Sequence, residues 1–361
     1  MKPFNAKKLA GVLVAAICVF SSFGQAANAA DFKTVGSQWN IVLDSFKDGT
    51  DGVGVGSASA YEIFGIAMKQ EQNRISVAIN ANIPLLGNSN AHAADGNIGW
   101  GDLFFNFSGK NFKDAGAAGE LFGVRFAGTN DSGAANLGVY GNVQAKSVSQ
   151  DNSGWGSFSS YQSWVESNNR DKTPGATGTK QGAVGFGDLN ATEARQYLTE
   201  ETVAKQVKKT IRVPKTYTVR VRKNGVLVKE ERTRMVSETV YETVYEKKIN
   251  DSNYSIQNVI ASGDFLGKIG MLSAADLQGL DFGTGNKSLF GTAQTFGFSF
   301  DKALLPDGDA LVSLLAECAN DGVVMAANLQ TQAVPEPASI LGLTVLGVTF
   351  VGGKLRRRSN P

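Results

Sequence analysis

Histidine and cysteine are nearly missing from this chain: of 361 residues, one is His and two are Cys. His92 has no second imidazole to share a metal with and no Ser or Cys nucleophile beside it, so the count removes most metal and triad schemes. Proline is sparse, at 8 residues, whereas glycine reaches 42. Charged residues make up 19% and the net charge is only +2, which argues for no particular partner. Cys18 falls in an N-terminal stretch expected to be removed. Cys318 then remains alone, an intrachain disulfide is excluded, and stability has to come from a hydrophobic core.

What is present is clearest at the two ends. Lys2, Lys7 and Lys8 form a positive leader, Leu9 to Phe23 is apolar, and Ala27-Asn28-Ala29 gives a small-x-small cleavage pattern. Residues 1–30 therefore read as a secretory signal peptide, cut after Ala29 or Ala30. Ile17 before Cys18 does not suit a lipoprotein site. At the other end, Val334-Pro335-Glu336-Pro337 precedes an uncharged run, Ala338 to Gly353, and then Lys354, Arg356, Arg357 and Arg358. As a helix the run would cover roughly 24 Å at 1.5 Å per residue, short of a bilayer core of about 30 Å. Pro335 and Pro337 place the start of that helix after them. The basic cluster favours the cytoplasmic side, which puts everything before Val334 outside the inner membrane.

The order Val334-Pro335-Glu336-Pro337-Ala338, apolar run, Lys354-Leu355-Arg356-Arg357-Arg358 resembles the PEP-CTERM sorting signal over residues 331–361. The resemblance implies handling by exosortase, a membrane-embedded cysteine transpeptidase of Gram-negative bacteria. It also implies cleavage near Pro-Glu-Pro, transient contact with the inner membrane and delivery to the cell surface or the exopolysaccharide matrix. The competing reading is a plain single-span tail anchor.

Between the two signals the chain reads as short strands broken by Gly, Asn, Asp and Ser. Tyr61–Met68, Arg74–Asn80, Asp102–Phe107, Leu121–Phe126 and Leu137–Val148 carry β patterning, and Asp48-Gly49, Asp95-Gly96 and Asn130–Gly133 supply turns. Ser153–Gly187 is Gly/Ser/Asn-rich and reads as a linker or long loop containing Trp155, Tyr161 and Trp164. Strand patterning resumes at Tyr254–Ala261, Thr295–Phe300, Leu311–Ala316 and Val323–Ala327. The expected fold is all-β, an antiparallel jelly-roll-like β-sandwich. Its first part is 31–165 and its second part 251–330, with a linker and an inserted charged β arm across 166–250.

That arm, Glu200–Lys248, differs in kind, with thirteen Lys or Arg, seven Glu and almost no Gly. Ile211–Lys223 alternates strictly, and Asn224-Gly225 predicts a type I′ hairpin turn. A two-residue loop sets Val221 opposite Val228, which is favourable, and Arg220 opposite Lys229, which is repulsive, so the register is left open. Arg212, Arg220 and Arg222 share one face. They are candidates to contact an acidic polysaccharide; the alternative is a charged face that protects a sheet edge.

Trp39–Gly54, Gly96–Gly109, Leu121–Gly138 and Leu305–Gly322 are similar to stretches of cyanobacterial PEP-CTERM surface proteins. That resemblance implies no chemistry, and the arm departs from it.

Asp44, Asp48 and Asp51, spaced by four and three with Gly49 and Gly52, are candidate calcium ligands, although the spacing is not that of an EF-hand. The alternative is a solvated turn. Asn130-Asp131 and Asp307-Gly308-Asp309 are weaker versions of the same idea. Asp102, Glu120 and Glu317 are the carboxylates available for glycoside hydrolysis, but nothing in the sequence pairs them. Gly52–Gly56 and Gly283–Ser288 lack nucleotide-binding spacing and read as turns. Cys318 reads as a buried thiol.

These readings converge on an exported, non-enzymatic surface or matrix protein with a structural or adhesive role and no nucleic-acid partner. An acidic-glycan-binding module is the second reading, acting through the arm or through an aromatic loop around Trp155 and Trp164. A polysaccharide-modifying enzyme is the third.

Overall fold

The computed structural model describes residues 31–52, 55–168, 184–252, 256–284 and 293–331. The signal peptide with Ala27 and Ala29, and the sorting signal with Val334, Pro335, Glu336, Pro337, Lys354, Arg356, Arg357 and Arg358, lie outside them. No helix among the described residues is long and apolar enough to cross a membrane.

The described residues are mostly β, built from several antiparallel sheets, with no barrel among them. A five-stranded sheet runs Gly270–Met271, Gln294–Asp301, Arg74–Ala81, Ile63–Glu71, Asn40–Leu43. A seven-stranded sheet runs Lys33–Thr34, Gly322–Leu329, Gly308–Leu315, Leu103–Asn106, Leu121–Arg125, Gly138–Lys146, Val259–Gly267. Strands from the last third of the chain thus complete both sheets. The single parallel pair in them is at an edge, Lys33–Thr34 against Ala327–Asn328.

One hydrophobic core draws on both sheets. Ile66, Met68, Val77 and Phe298 come from the smaller sheet, and Leu103, Phe105, Val124, Val312, Val323 and Met325 from the larger. The alternate residues of the larger sheet are buried as well. Phe104, Leu121, Tyr140, Leu311 and Val324 belong to a second cluster with Phe112, Phe158, Tyr161, Tyr197 and Leu198, which the helices supply. A sheet covered on both faces needs apolar residues at every position. That is why Leu103-Phe104-Phe105 and Val323-Val324-Met325 are continuous runs rather than alternations.

The reading of Ser153–Gly187 as a loop is corrected. Phe158–Asn168 is a helix whose buried residues are Phe158, Tyr161 and Val165, one stripe at spacings of three and four. A second helix, Ala191–Thr199, starts at a capping box: the Asn190 side chain accepts from the Thr192 and Glu193 N–H groups, and Glu193 returns a bond to the Asn190 N–H. The strand expected at Tyr254–Ala261 begins at Val259 and runs to Gly267; residues 253–255 lie outside the described set.

The arm is a two-stranded hairpin, Glu200–Lys223 against Val226–Ile249. Asn224 and Gly225 both have positive φ, 49° and 83°, as a type I′ turn requires. The register is the two-residue one: Val221 faces Val228 and Arg220 faces Lys229. At about 3.3 Å per residue, 24-residue strands make an arm roughly 80 Å long. Its base is fixed by Asp114, which accepts from the Thr202 N–H (2.9 Å) and hydroxyl (2.6 Å), and by the Asn250 N–H to Thr199 O bond (3.0 Å).

Candidate functional site

Two places gather chemistry. The first lies at the rim of the core, where four acids meet. Asp44 ends the strand Asn40–Leu43, and its N–H continues the ladder to Phe64 O (3.0 Å). Asp48 sits in the following turn, Glu62 just before strand Ile63–Glu71, and Asp321 in the turn before Gly322–Leu329. All four are buried: Asp44 is 6% exposed and the other three are at 0%.

Backbone N–H groups hold each of them. Gly187 donates to Asp44 Oδ1 (2.9 Å), Gly185 to Asp48 Oδ2 (2.7 Å) and Gly49 to Glu62 Oε2 (2.9 Å). Ile63 donates to Asp321 Oδ2 (2.7 Å) and Gly322 to Asp321 Oδ1 (2.8 Å). The glycine at 49 is a requirement of space, because a Cβ there would stand 2.6 Å from Glu62 Oε2 and 2.7 Å from Glu62 Cα. The remaining oxygens, Asp44 Oδ2, Asp48 Oδ1 and Glu62 Oε1, are buried and meet no well-aligned N–H or hydroxyl donor, although the Asp44 carboxyl adjoins that of Asp321 and the Ser45 hydroxyl lies near Asp48.

Loss of water is the main force on these acids, and the other carboxylates add to it for most of them. Burial raises Asp44, Glu62 and Asp321 well above the usual range, with Asp48 and Asp321 as the largest charged neighbours of Asp44 and Glu62. Burial pushes Asp48 up to about 7, moderated by the Gly185 N–H bond. The Tyr161 hydroxyl donates to Asp48 O (3.1 Å), and its own ionisation is pushed upward by burial and then by the Asp48 charge.

Of the three candidate calcium ligands, Asp44 and Asp48 come together as their spacing suggested. Asp51 does not join them: its carboxylate accepts from the Ala60 N–H (2.9 Å). Glu62 and Asp321 take part instead. One carboxylate oxygen from each of Asp44, Asp48 and Asp321 lies within 4.8 Å of the others. The other acidic turns are committed elsewhere. Asp131 accepts from Asn152 Nδ2 (2.8 Å), Asp307 from Lys302 Nζ (2.8 Å), and Asp309 from Asn328 Nδ2 (2.5 Å).

Asp102 and Glu317 grip one loop. Asp102 accepts from Asn130 Nδ2 (2.8 Å), the Ser132 hydroxyl (2.7 Å) and the Ile260 N–H (2.7 Å). Glu317 accepts from the Gly99 N–H (2.7 Å) and the Asp131 N–H (2.5 Å). Burial raises Asp102 to about 6 and Glu317 to about 8. Glu120 is apart, in an exposed ion pair with Lys110 (2.7 Å). His92 is exposed, and Cys318 is fully buried with its thiol ionisation pushed up by that burial.

The second place is the arm. Its register puts Lys208, Arg212, Arg220 and Arg222 on one face with Lys229, Lys247, Tyr241 and Tyr245, so the stripe of Arg212, Arg220 and Arg222 is wider than three residues. The opposite face alternates Val203, Val207, Ile211, Val213, Val219 and Val221 with lysines. Glu residues across the hairpin pair with these: Lys205–Glu246 (3.1 Å), Lys209–Glu242 (3.1 Å) and Lys215–Glu238 (2.6 Å). One face therefore pairs most of its lysines with glutamates across the hairpin; the other carries six cations, of which Lys247 pairs with Glu200 (3.1 Å), against two glutamates, Glu200 and Glu231, together with two exposed tyrosines. The indoles expected to form an aromatic contact lie 5.8 Å apart; Trp164 is exposed, and Trp155 Nε1 donates to Thr50 Oγ1 (2.9 Å).

Comparison with protein-family models, with curated proteins and with solved structures found no match.

Proposed function

We propose that this chain is an exported protein, placed on the cell surface or in the extracellular matrix by an exosortase-type system, with a structural or adhesive role and no catalytic one. Its body reads as a jelly-roll-like β-sandwich. The signal peptide, the Pro-Glu-Pro tail and the basic end support the address. The observation that carries the role is the arm: 24-residue strands without a buried residue from Val203 to Lys248, extending from a body with a dense core. A ribbon that gains nothing from the core fits a surface meant for something else. An epitope inserted at Asn224-Gly225 tests the reading in the living cell. Labelling by an antibody that cannot cross membranes is expected, and it should be lost when Pro335, Glu336 and Pro337 are replaced by Ala. Epitope that stays inside the cell, or labelling indifferent to those replacements, contradicts it.

The second reading, an acidic-glycan-binding module, is favoured by the cation-and-tyrosine face of the arm. Opposed charge attracts acidic polymers, and exposed aromatic rings offer apolar surface to a sugar. A glycan array decides it: binding to uronic-acid or sulfated glycans should fall when Arg212 and Arg220 are both changed to Glu, and binding unaltered by that change rejects it.

A further inference from the structure

We propose that Asp44, Asp48 and Asp321, with the buried Glu62 beside them, form a binding site for a divalent, oxygen-seeking cation of calcium's size. Three features of the cluster point to it. Oxygens of Asp44, Asp48 and Asp321 approach within 4.8 Å of one another, about the span that two opposite ligands leave around an ion with bonds of 2.3–2.6 Å. Asp44 Oδ2, Asp48 Oδ1 and Glu62 Oε1 are buried and meet no well-aligned N–H or hydroxyl donor, and the Asp44 carboxyl adjoins another carboxyl, that of Asp321, a costly arrangement unless something positive meets them. Third, the second oxygens of Asp44, Asp48 and Glu62, together with both oxygens of Asp321, are anchored by backbone N–H groups of Gly187, Gly185, Gly49, Ile63 and Gly322. Those bonds orient the free oxygens and add partial positive charge around the acids, as second-shell donors do in metal sites.

The ligand set selects the ion. Carboxylate oxygens with no imidazole and no thiolate in the cluster suit hard cations rather than zinc or copper. Magnesium prefers to keep several waters, so a cluster of fully buried carboxylates favours calcium. The four acids come from three separate stretches of chain, so a bound ion would tie the turn after Asn40–Leu43 to strand Ile63–Glu71 and to the turn before Gly322–Leu329. The inference does not depend on where the protein is delivered.

Titration calorimetry on the chelator-stripped full chain, with calcium chloride and magnesium chloride in turn, tests the site. The expected result is one calcium per chain, weaker magnesium binding, and a higher melting temperature with calcium. Asp48→Asn should weaken calcium roughly tenfold or more, whereas Asp51→Asn should leave it unchanged. If Asp48→Asn does not fold, Asp44→Asn serves in its place. The proposal is overturned by wild-type protein that shows neither heat nor a melting shift at calcium on the order of 1 mM. It is equally overturned by Asp51→Asn weakening binding as much as Asp48→Asn.

Discussion

Strand Gly322–Leu329 and strand Val226–Ile249 obey the same local rules and end in opposite environments. In the first every residue but Asn328 is buried; in the second none is. Both alternate their side chains across a ladder, and both are rich in Val. What separates them is cover. The first lies between two hydrophobic clusters, whereas the second has only one neighbouring strand and solvent on both faces. Local pattern therefore makes a strand in either place, and tertiary contact decides whether it carries stability. The body should unfold as a unit, and the arm should open at lower cost, held by its turn, its cross-strand pairs and the bonds at its base.

The strongest way to break this contrast is to truncate a large side chain on each side of it. Phe105 is fully buried, with its ring edge-on to Phe300 at 6.0 Å. Phe105→Ala should cost about 3–5 kcal/mol in denaturant unfolding. Tyr241, 69% exposed in the arm, should change stability by no more than about 0.5 kcal/mol when replaced by Ala. Comparable losses would show that the arm is part of the folding unit.

A pH series sharpens the comparison next. Asp48, Asp102 and Glu317 ionise at about 7, 6 and 8 in the folded body, above their ordinary range near 4. The folded state then binds more protons than the unfolded one. Its stability from these groups is complete below the ordinary range and is lost as pH rises through the folded values. Without divalent cations, the melting temperature should fall from about pH 5 to about pH 8, and added calcium should lessen only the part of that fall that Asp48 contributes. Arm amides should show no matching trend in hydrogen exchange.

Smaller effects follow. Gly49→Ala forces a methyl against Glu62 and should cost about 1–3 kcal/mol in thermal or denaturant unfolding. Arg220→Glu places an opposite charge across from Lys229 and should stabilise the arm by about 0.2–1 kcal/mol. Slower exchange at Val221 and Val228, with an unchanged body, is the expected reading.

Most strands were legible because a half-buried or doubly buried strand writes its environment into every second residue. The arm was legible to its turn, since Asn224-Gly225 allows few alternatives; the repulsive Arg220–Lys229 pair obscured the register because solvent on both sides makes that repulsion cheap. The helix Phe158–Asn168 was not legible. Its Ser and Asn residues carry loop composition, and only Phe158, Tyr161 and Val165 report its buried stripe. Ala191–Thr199 did leave a signal, Asn190 followed three residues later by Glu193. Half of the acid cluster could be read from the spacing of Asp44 and Asp48. Glu62 and Asp321 join through sheet topology, which local spacing does not encode. Their signals were an acid interrupting the apolar run Tyr61–Met68 and a turn-forming Asn320-Asp321-Gly322.

The contrast between body and arm is tested most directly by removing the arm. Thr202 and Lys247 face each other at its base, so an Asn-Gly turn can join them in place of residues 203–246. Calorimetric melting of the shortened protein beside the full chain gives the answer. The account predicts a cooperative transition at a temperature within about 2 °C of the full chain, because the deleted residues bury nothing in the core. A transition that is lost, or lowered by about 10 °C or more, would contradict it.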